Sequence, residues 1–409
     1  MTSVTDSSPA SAKGPLNGVR VIELGALIAG PFASRMLADF GAEVIKVENP
    51  TSADPFREWG RAHQNGKALW WAVQARNKKV ITLDLKNDDG KKAFEALIAT
   101  ADVLVENFRP GTLERLGFAP DQLHELNPAL IITRVSGYGQ TGPKSTRPGY
   151  AAIAEAVGGL RHINGFPGGP PPRAGISLGD SLGAMFAVQG ILLALLGRAS
   201  NGGRGQVVDV SLVESCFALL ESALPDYASN GYVPGPNGTS LEGIAPSNIY
   251  RAADDKWVVI AANQDTVFKR LCVAMGMPTL ASDARFSNHV TRGSNQQVLD
   301  DIIGDWSRNL AAADILDRLE GEGVPSSLVN TIADIVEDDH FRERDMFVDI
   351  EDDQWGSVTH PGIVPKLSAS PGEIRWNGPS APGEHNDEIF GALGFSRETL
   401  DEWSDRKVI

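Results

Sequence analysis

The sequence predicts an α/β protein whose larger part is an open, parallel, Rossmann-like sheet, followed by a smaller α+β domain. Three observations predict it. Short β-branched apolar runs alternate with helical periods from residue 19 to residue 139. A Pro/Gly/Asn-rich stretch, SNGYVPGPNGTS, then interrupts the chain. Beyond it the texture changes to one strand pair followed by helical pieces.

Residues 19–24 (VRVIEL) read as a buried strand. Gly25 follows, and Gly30-Pro31 leads into FASRMLADF, where proline suits the first helical position. AEVIKVE (42–48) is a second strand, so strand, helix and strand make a βαβ unit. The pattern repeats: KVITLDL is a strand, DGKKAFEALIATA a helix and DVLVEN a strand. LERLGFAPDQLHELN is helical, and ALIITRVSGYG is a strand running into a glycine turn. In such a sheet a ligand is expected beyond the carboxyl ends of the strands.

Residues 161–180 (RHINGFPGGPPPRAGISLGD) read as a long Gly/Pro loop. The apolar stretch from Ser181 has Leu182, Met185, Phe186, Gln189 and Leu193 at helical spacing, the pattern of a buried helix. The expected boundaries are a disordered tail over 1–15, a large domain over 16–200, a linker over 201–242, a small domain over 243–335 and a C-terminal segment over 336–409. The small domain holds the strand pair SNIYRA and DKWVVIAA, with helical pieces around VFKRLCVAM and ILDRLEGEG.

Composition narrows the function. At 409 residues, 42% hydrophobic and 22% charged, the chain can bury a large core without staples. Its two cysteines, Cys216 and Cys272, sit in helix-like contexts and read as small core hydrophobes, which argues against a secreted disulfide scaffold. A net charge of −15 opposes binding to nucleic acid or to an anionic membrane surface. No apolar run is expected to reach the ~18 residues of a membrane span. The polar opening MTSVTDSSPASAKGP lacks the apolar core of a secretion signal, so a cytoplasmic protein is expected.

Several cofactor signatures are missing. The first βα turn, GALIAGPF, lacks the G-x-G-x-x-G spacing of dinucleotide binders, although Glu48 ends the second strand where such proteins carry an acid. There is no phosphate-binding P-loop and no His/Cys cluster with metal-ligand spacing. Asn107, Arg109, Arg115, Lys144, Arg147 and Arg173 lie in loops at strand ends. They are either phosphate-binding groups or solvated loop cations. Asp180 lies between Gly179 and the apolar helix, so a ligand can reach it. It reads either as a helix N-cap or as a reactive carboxylate kept ionised by the positive end of the helix. The capping-box partner is absent, because Gly183 stands in its place.

GVRVIELGALIAGPFASRMLADFGAEVIKVENP, ENFRPGTLERLGF, SGYGQTGP, ISLGDS, GRGQVVDVSLVES and GEHNDEIFGALGF resemble segments of the family III coenzyme A transferases, in the family's order and across nearly the whole chain. The resemblance implies two ring-like subunits threaded through each other as a homodimer, with the chain returning from the small domain to the large one. It implies that Asp180 is the nucleophile. It also implies that the nucleotide part of coenzyme A lies along Ile28, Ala29, Leu83, Asp84, Leu85, Lys86, Asn107, Phe108, Arg109, Arg115, Arg147, Pro148, Gly149 and Tyr150. The implied partners are an acyl-CoA, such as succinyl-CoA, and a small carboxylic acid, with no permanently bound cofactor. Asn49 stands where formyl-CoA transferase has a basic residue, and AANQD (261–265) replaces that enzyme's glycine-rich loop.

Two alternatives share these motifs. A 2-methylacyl-CoA racemase needs a base and an acid on opposite faces of the α-carbon. Its histidine position reads Gly149-Tyr150-Ala151 here, and a tyrosine with a pKa near ~10 is a poor base at neutral pH. A non-catalytic acyl-CoA binding protein is the other.

Overall fold

In the computed structural model, which describes residues 14–409, six strands form one sheet. They are β1 (Arg20–Glu23), β2 (Glu43–Glu48), β3 (Lys78–Thr82), β4 (Val103–Glu106), β5 (Ile131–Ser136) and β6 (Val207–Ser211). Every pairing is parallel, and the spatial order is β3-β2-β1-β4-β5-β6. This is the strand order of doubly wound dinucleotide-binding sheets, and it reverses direction between β1 and β4. The tail expected over 1–15 lies almost wholly outside the described residues.

The strands are apolar on both faces because helices cover both. Val21, Val44, Val103 and Ile131 face Leu37 of α1 (Ala29–Asp39) and Ile191 of a long later helix. Their sequence neighbours Ile22, Ile45, Leu104 and Ile132 face the other way, onto Phe94, Leu97 and Ile98 of α2 (Asp88–Ala99). That second layer is completed by Phe390 and Trp403 from the C-terminal helices. The helix expected through LERLGFAPDQLHELN is broken, because Gly117 takes φ +92° and the chain turns before α3 (Pro120–Leu126).

After β5 come α4 (Ala151–Val157), α5 (Leu178–Arg198), β6 and α6 (Leu212–Phe217). The expected linker over 201–242 therefore differs from what forms: Val207–Ser211 pairs with Ile132–Ser136 as the last strand of the sheet. Only its last two residues are buried, as befits an edge strand. Nor was the expectation about apolar runs correct. The 21-residue α5 is long and apolar enough, by composition, to cross a membrane. Its small residues Gly183, Ala184 and Ala187, with Ile191 and Ala194, are buried in this sheet unit, as in the core helix of a globular protein.

The chain divides into two units. The first takes in the residues up to Leu160, Arg173–Glu221 and Arg342–Ile409; the second is Arg161–Pro172 with Ser222–Phe341. The second has its own antiparallel sheet, made by β7 (Ser247–Arg251), β8 (Trp257–Ala261) and β9 (Ser326–Leu328). Its core gathers Tyr250, Val258, Ile260, Phe268, Leu271 and Ile303. In the first unit the C-terminal part adds a hairpin, Phe347–Asp352 with Gly356–Pro361, that buries Trp355.

Candidate active site

Where the strand order reverses, the loops leaving β1 and β4 diverge to opposite sides and leave a crevice at the carboxyl ends. Asn107, just past β4, holds the first loop: its Oδ1 accepts from the Ala26 N–H at 2.9 Å and its Nδ2 donates to the Ala26 carbonyl at 2.8 Å. Gly30, the second residue of α1, packs against the Asn107 side chain, where an added Cβ would lie 3.4 Å away. Leu27 takes a left-handed φ of +66°, and its N–H donates to Asp54 Oδ1 at 3.3 Å.

Buried ion pairs fix this end of the sheet. Lys46 of β2 reaches Glu23 of β1 at 2.9 Å, Asp54 at 2.9 Å and the Gly25 carbonyl at 2.6 Å. Lys78 meets the other Glu23 oxygen at 2.8 Å. Burial opposes the Lys46 charge, but Glu23, Asp54 and Glu48 outweigh it and raise its pKa. Burial dominates at Lys78 and pushes its ammonium down to about 8 despite Glu23. The signal of this network in the sequence is a lysine inside the apolar centre of the strand AEVIKVE.

Two cavities open at the crevice. One, of about 220 Å³, is lined by Ala26–Ala29, Asn107–Pro110, Val135–Gly137, Arg147–Tyr150, Asp180 and Leu212. The other, of about 380 Å³, is lined among others by Lys46–Asn49, Leu83–Lys86, Thr112 and Leu116. Ala26 and Phe108 belong to both walls. Of the residues singled out from the sequence, Ile28, Ala29, Asn107, Phe108, Arg109, Arg147, Pro148, Gly149, Tyr150 and Asp180 thus meet at the first cavity, and Leu83, Asp84, Leu85 and Lys86 at the second. Arg115 lines neither. It is exposed and donates to Thr112 Oγ1 at 2.8 Å, one residue removed from the second cavity.

Two glycine turns build the wall opposite β1. A Cβ on Gly137 would lie 2.8 Å from the Gly149 Cα, so the loops after β5 and before α4 touch backbone to backbone. Asp180 is the third residue of α5, whose N-cap is Ser177, so it is not the N-cap considered in the sequence. The expectation that the helix end sets its charge also needs correcting. Burial pushes the Asp180 carboxyl up to about 6, the negative charge of Glu155 adds to the rise, and Arg173 opposes it. The group is still mostly ionised at pH 7.

Glu155 escaped sequence reading. It is buried in α4, and its Oε1 accepts from the Gly179 N–H at 3.1 Å. Its only sequence signal is a lone acid in the apolar run AAIAEAV. The thiols are not nucleophile candidates: burial, with Glu155 and Asp180, pushes Cys216 up to about 11, and burial pushes Cys272 to about 11. Among the described residues no cluster of three or more His, Cys, Asp or Glu is placed to hold a metal.

Residues 16–386 match the family described as CoA-transferase family III. The chain belongs to that family. A succinyl-CoA–D-citramalate CoA-transferase of Chloroflexus aurantiacus is 48% identical over 396 residues, covering 97% of this chain and 98% of that protein. The beta subunit of a succinyl-CoA–L-malate CoA-transferase of the same organism is 40% identical over 399 residues, covering 97% and 98%. A CAIB/BAIF family protein of Brucella suis, known by crystal structure, superposes with a TM-score of 0.82 at 31% identity, over 93% of this chain and 100% of that one. The family III enzyme described here is a CoA-transferase, moving coenzyme A between an acyl-CoA and an organic acid.

Proposed function

We propose that transfer runs through Asp180 as a covalent carrier, with succinyl-CoA as donor and a small hydroxy-dicarboxylic acid as acceptor. The observation that carries this reading is the carboxylate itself: Asp180 lines a cavity at the switch point of a parallel sheet, with a pKa raised to about 6. An Asp180 oxygen attacks the thioester carbonyl, the C–S bond breaks, and coenzyme A leaves as thiolate. The thiolate then attacks the Asp180 carbonyl of the mixed anhydride, giving an aspartyl thioester and releasing succinate. The acceptor carboxylate repeats both steps in reverse. Each step exchanges one acyl bond for another, so no ATP is consumed. Backbone N–H groups of the glycine turns at Gly137 and Gly149 are suited to hold the oxyanions.

The coenzyme's nucleotide is assigned to the second cavity, beside Leu83–Lys86, with Arg115 at its edge. Its pantetheine arm then passes Ala26 and Phe108, the wall common to both cavities, to bring the thioester to Asp180. Arg109 and Arg147, exposed on the first cavity, supply cations for the phosphates or for the far carboxylate of a diacid. The first cavity's small volume suits a short acid, and the acids named in the two Chloroflexus enzymes give the acceptor class. The assembly is proposed to be the interlocked homodimer of the family, and the free cysteines suit a cytoplasmic protein.

Asp180→Asn tests the reading. It should fold, as judged by its melting temperature, yet lose transfer from succinyl-CoA to citramalate or malate by several orders of magnitude. Transfer at near wild-type rate would overturn it, and so would activity confined to donors without a second carboxylate for the substrate assignment.

A further inference from the structure

We propose that Glu155 is a positioning residue for the transfer: its buried carboxylate fixes the first turn of α5 and holds a second negative charge beside Asp180. The inference rests on Asp180 being the nucleophile and assigns a role to a residue the reaction does not touch.

The first turn of α5 leaves N–H groups without intrahelical partners, and its N-cap Ser177 supplies no side-chain bond. Glu155 takes over that duty from another helix, accepting from Gly179 at 3.1 Å. Gly179 itself has no room for a side chain, since a Cβ there would lie 2.9 Å from the Ala151 carbonyl oxygen. Helix α4 therefore does three things within one and a half turns. Its N-cap, Tyr150, lines the reaction cavity; its first residue, Ala151, touches the α5 backbone; and Glu155 caps the turn that carries Asp180.

A neutral glutamine could accept the same hydrogen bond. A buried carboxylate without a cationic partner is costly, and no ion pair is made by Glu155 among the described residues. The charge has a consequence at Asp180. The groups acting there are Glu155 from α4 and Arg173 from the loop before α5, with the neutral Cys216 thiol on α6 and the exposed Arg109 and Arg147 around the cavity. Of these, Glu155 is the like charge. It repels the ionised Asp180 of the free enzyme. Once an Asp180 oxygen has bonded to the acyl carbon and the C–S electron pair has left with the thiolate, Asp180 is a neutral acyl group and that repulsion is gone. Glu155 thus favours the covalent intermediates over the resting carboxylate.

Two variants separate charge from reach. Glu155→Gln keeps the acceptor and removes the charge; Glu155→Asp keeps the charge and withdraws the acceptor. For Glu155→Gln we expect about a tenfold fall in kcat with the KM for succinyl-CoA nearly unchanged. The acid limb of its pH–rate profile should move to lower pH, and less aspartyl thioester should accumulate with donor alone. For Glu155→Asp the rate should fall while the acid limb stays in place. A wild-type acid limb and thioester level in Glu155→Gln would overturn the proposal, as would a downward-shifted limb in Glu155→Asp. Asp180→Asn, run alongside, keeps the two readings apart: if it still transfers coenzyme A, the nucleophile is misassigned, whereas its inactivity with a silent Glu155→Gln removes only the role of Glu155.

Discussion

Asp180 shows how burial and helix geometry compete at a single carboxyl. An acid in the first turn of a helix ordinarily gains about 0.3–1 kcal/mol from the positive helix end. Here burial and Glu155 win, and the pKa rises to about 6. The folded protein then binds the proton more tightly than the unfolded chain. Between pH 4 and 6 the unfolded chain carries fewer protons, so Asp180's contribution to stability falls across that window and reaches a cost of about 3 kcal/mol above it. Asp180→Asn is therefore expected to be more stable than the wild type at pH 7.5, with the gain gone at pH 4, as measured by chemical denaturation at both values. A variant destabilised equally at both would mean that the packing of the Asp180 side chain in the first turn of α5 outweighs the cost of its buried charge. Asp180 was legible in the sequence because a Gly-Asp-Ser turn precedes an apolar run. Glu155 was not, because what gives it meaning is a hydrogen bond to Gly179, 24 positions away in sequence.

Between elements, the site depends on contacts that leave no room for error. Gly179→Ala puts a methyl group 2.9 Å from the Ala151 carbonyl, backbone against backbone. Overpacking of this kind costs about 1–3 kcal/mol, and the movement it forces falls on the residue next to Asp180. Both melting temperature and kcat should drop; a variant with lowered stability and intact kcat would separate the α4–α5 contact from catalysis. On the other side of the crevice, Lys46→Met leaves Glu23 and Asp54 short of a cation. Breaking a buried pair in this way is expected to cost about 3–5 kcal/mol, read as a fall in the denaturation midpoint. Strands β1 to β5 were legible from unbroken β-branched runs, since both faces of each are covered. Strand β6 was not, because Val207 and Asp209 are exposed at the sheet edge and the pattern VVDVS there resembles a connecting segment.

At the scale of the molecule, α5 offers one face to the sheet and another to the outside. Met185, Leu193 and Leu196 are exposed on it, Leu196 to 79%, and Val157 and Phe217 are exposed on α4 and α6 of the same unit. Apolar surface of this extent is characteristic of association sites. A second copy of the chain is the proposed cover for this apolar helix. Light scattering at micromolar concentration should give a dimer that stays in solution without detergent. An active monomer, or protein that partitions with lipid vesicles, would contradict this. The doubly wound order of the sheet could be anticipated from the βαβ repeats; threaded subunits could only be inferred by resemblance, since no local period encodes them.

The central claim is that the transferred acyl group visits Asp180, and oxygen exchange tests it most directly. Acceptor acid carrying a heavy oxygen isotope in its carboxylate is turned over with succinyl-CoA, and the protein is then digested and mapped by mass spectrometry. Attack by the acceptor on the aspartyl thioester leaves one acceptor oxygen on the enzyme. The account therefore predicts heavy oxygen in the carboxyl of Asp180, and nowhere else, with the label passing on to released succinate in later turnovers. Label on Glu155, or transfer of coenzyme A with no label entering the protein, would contradict it.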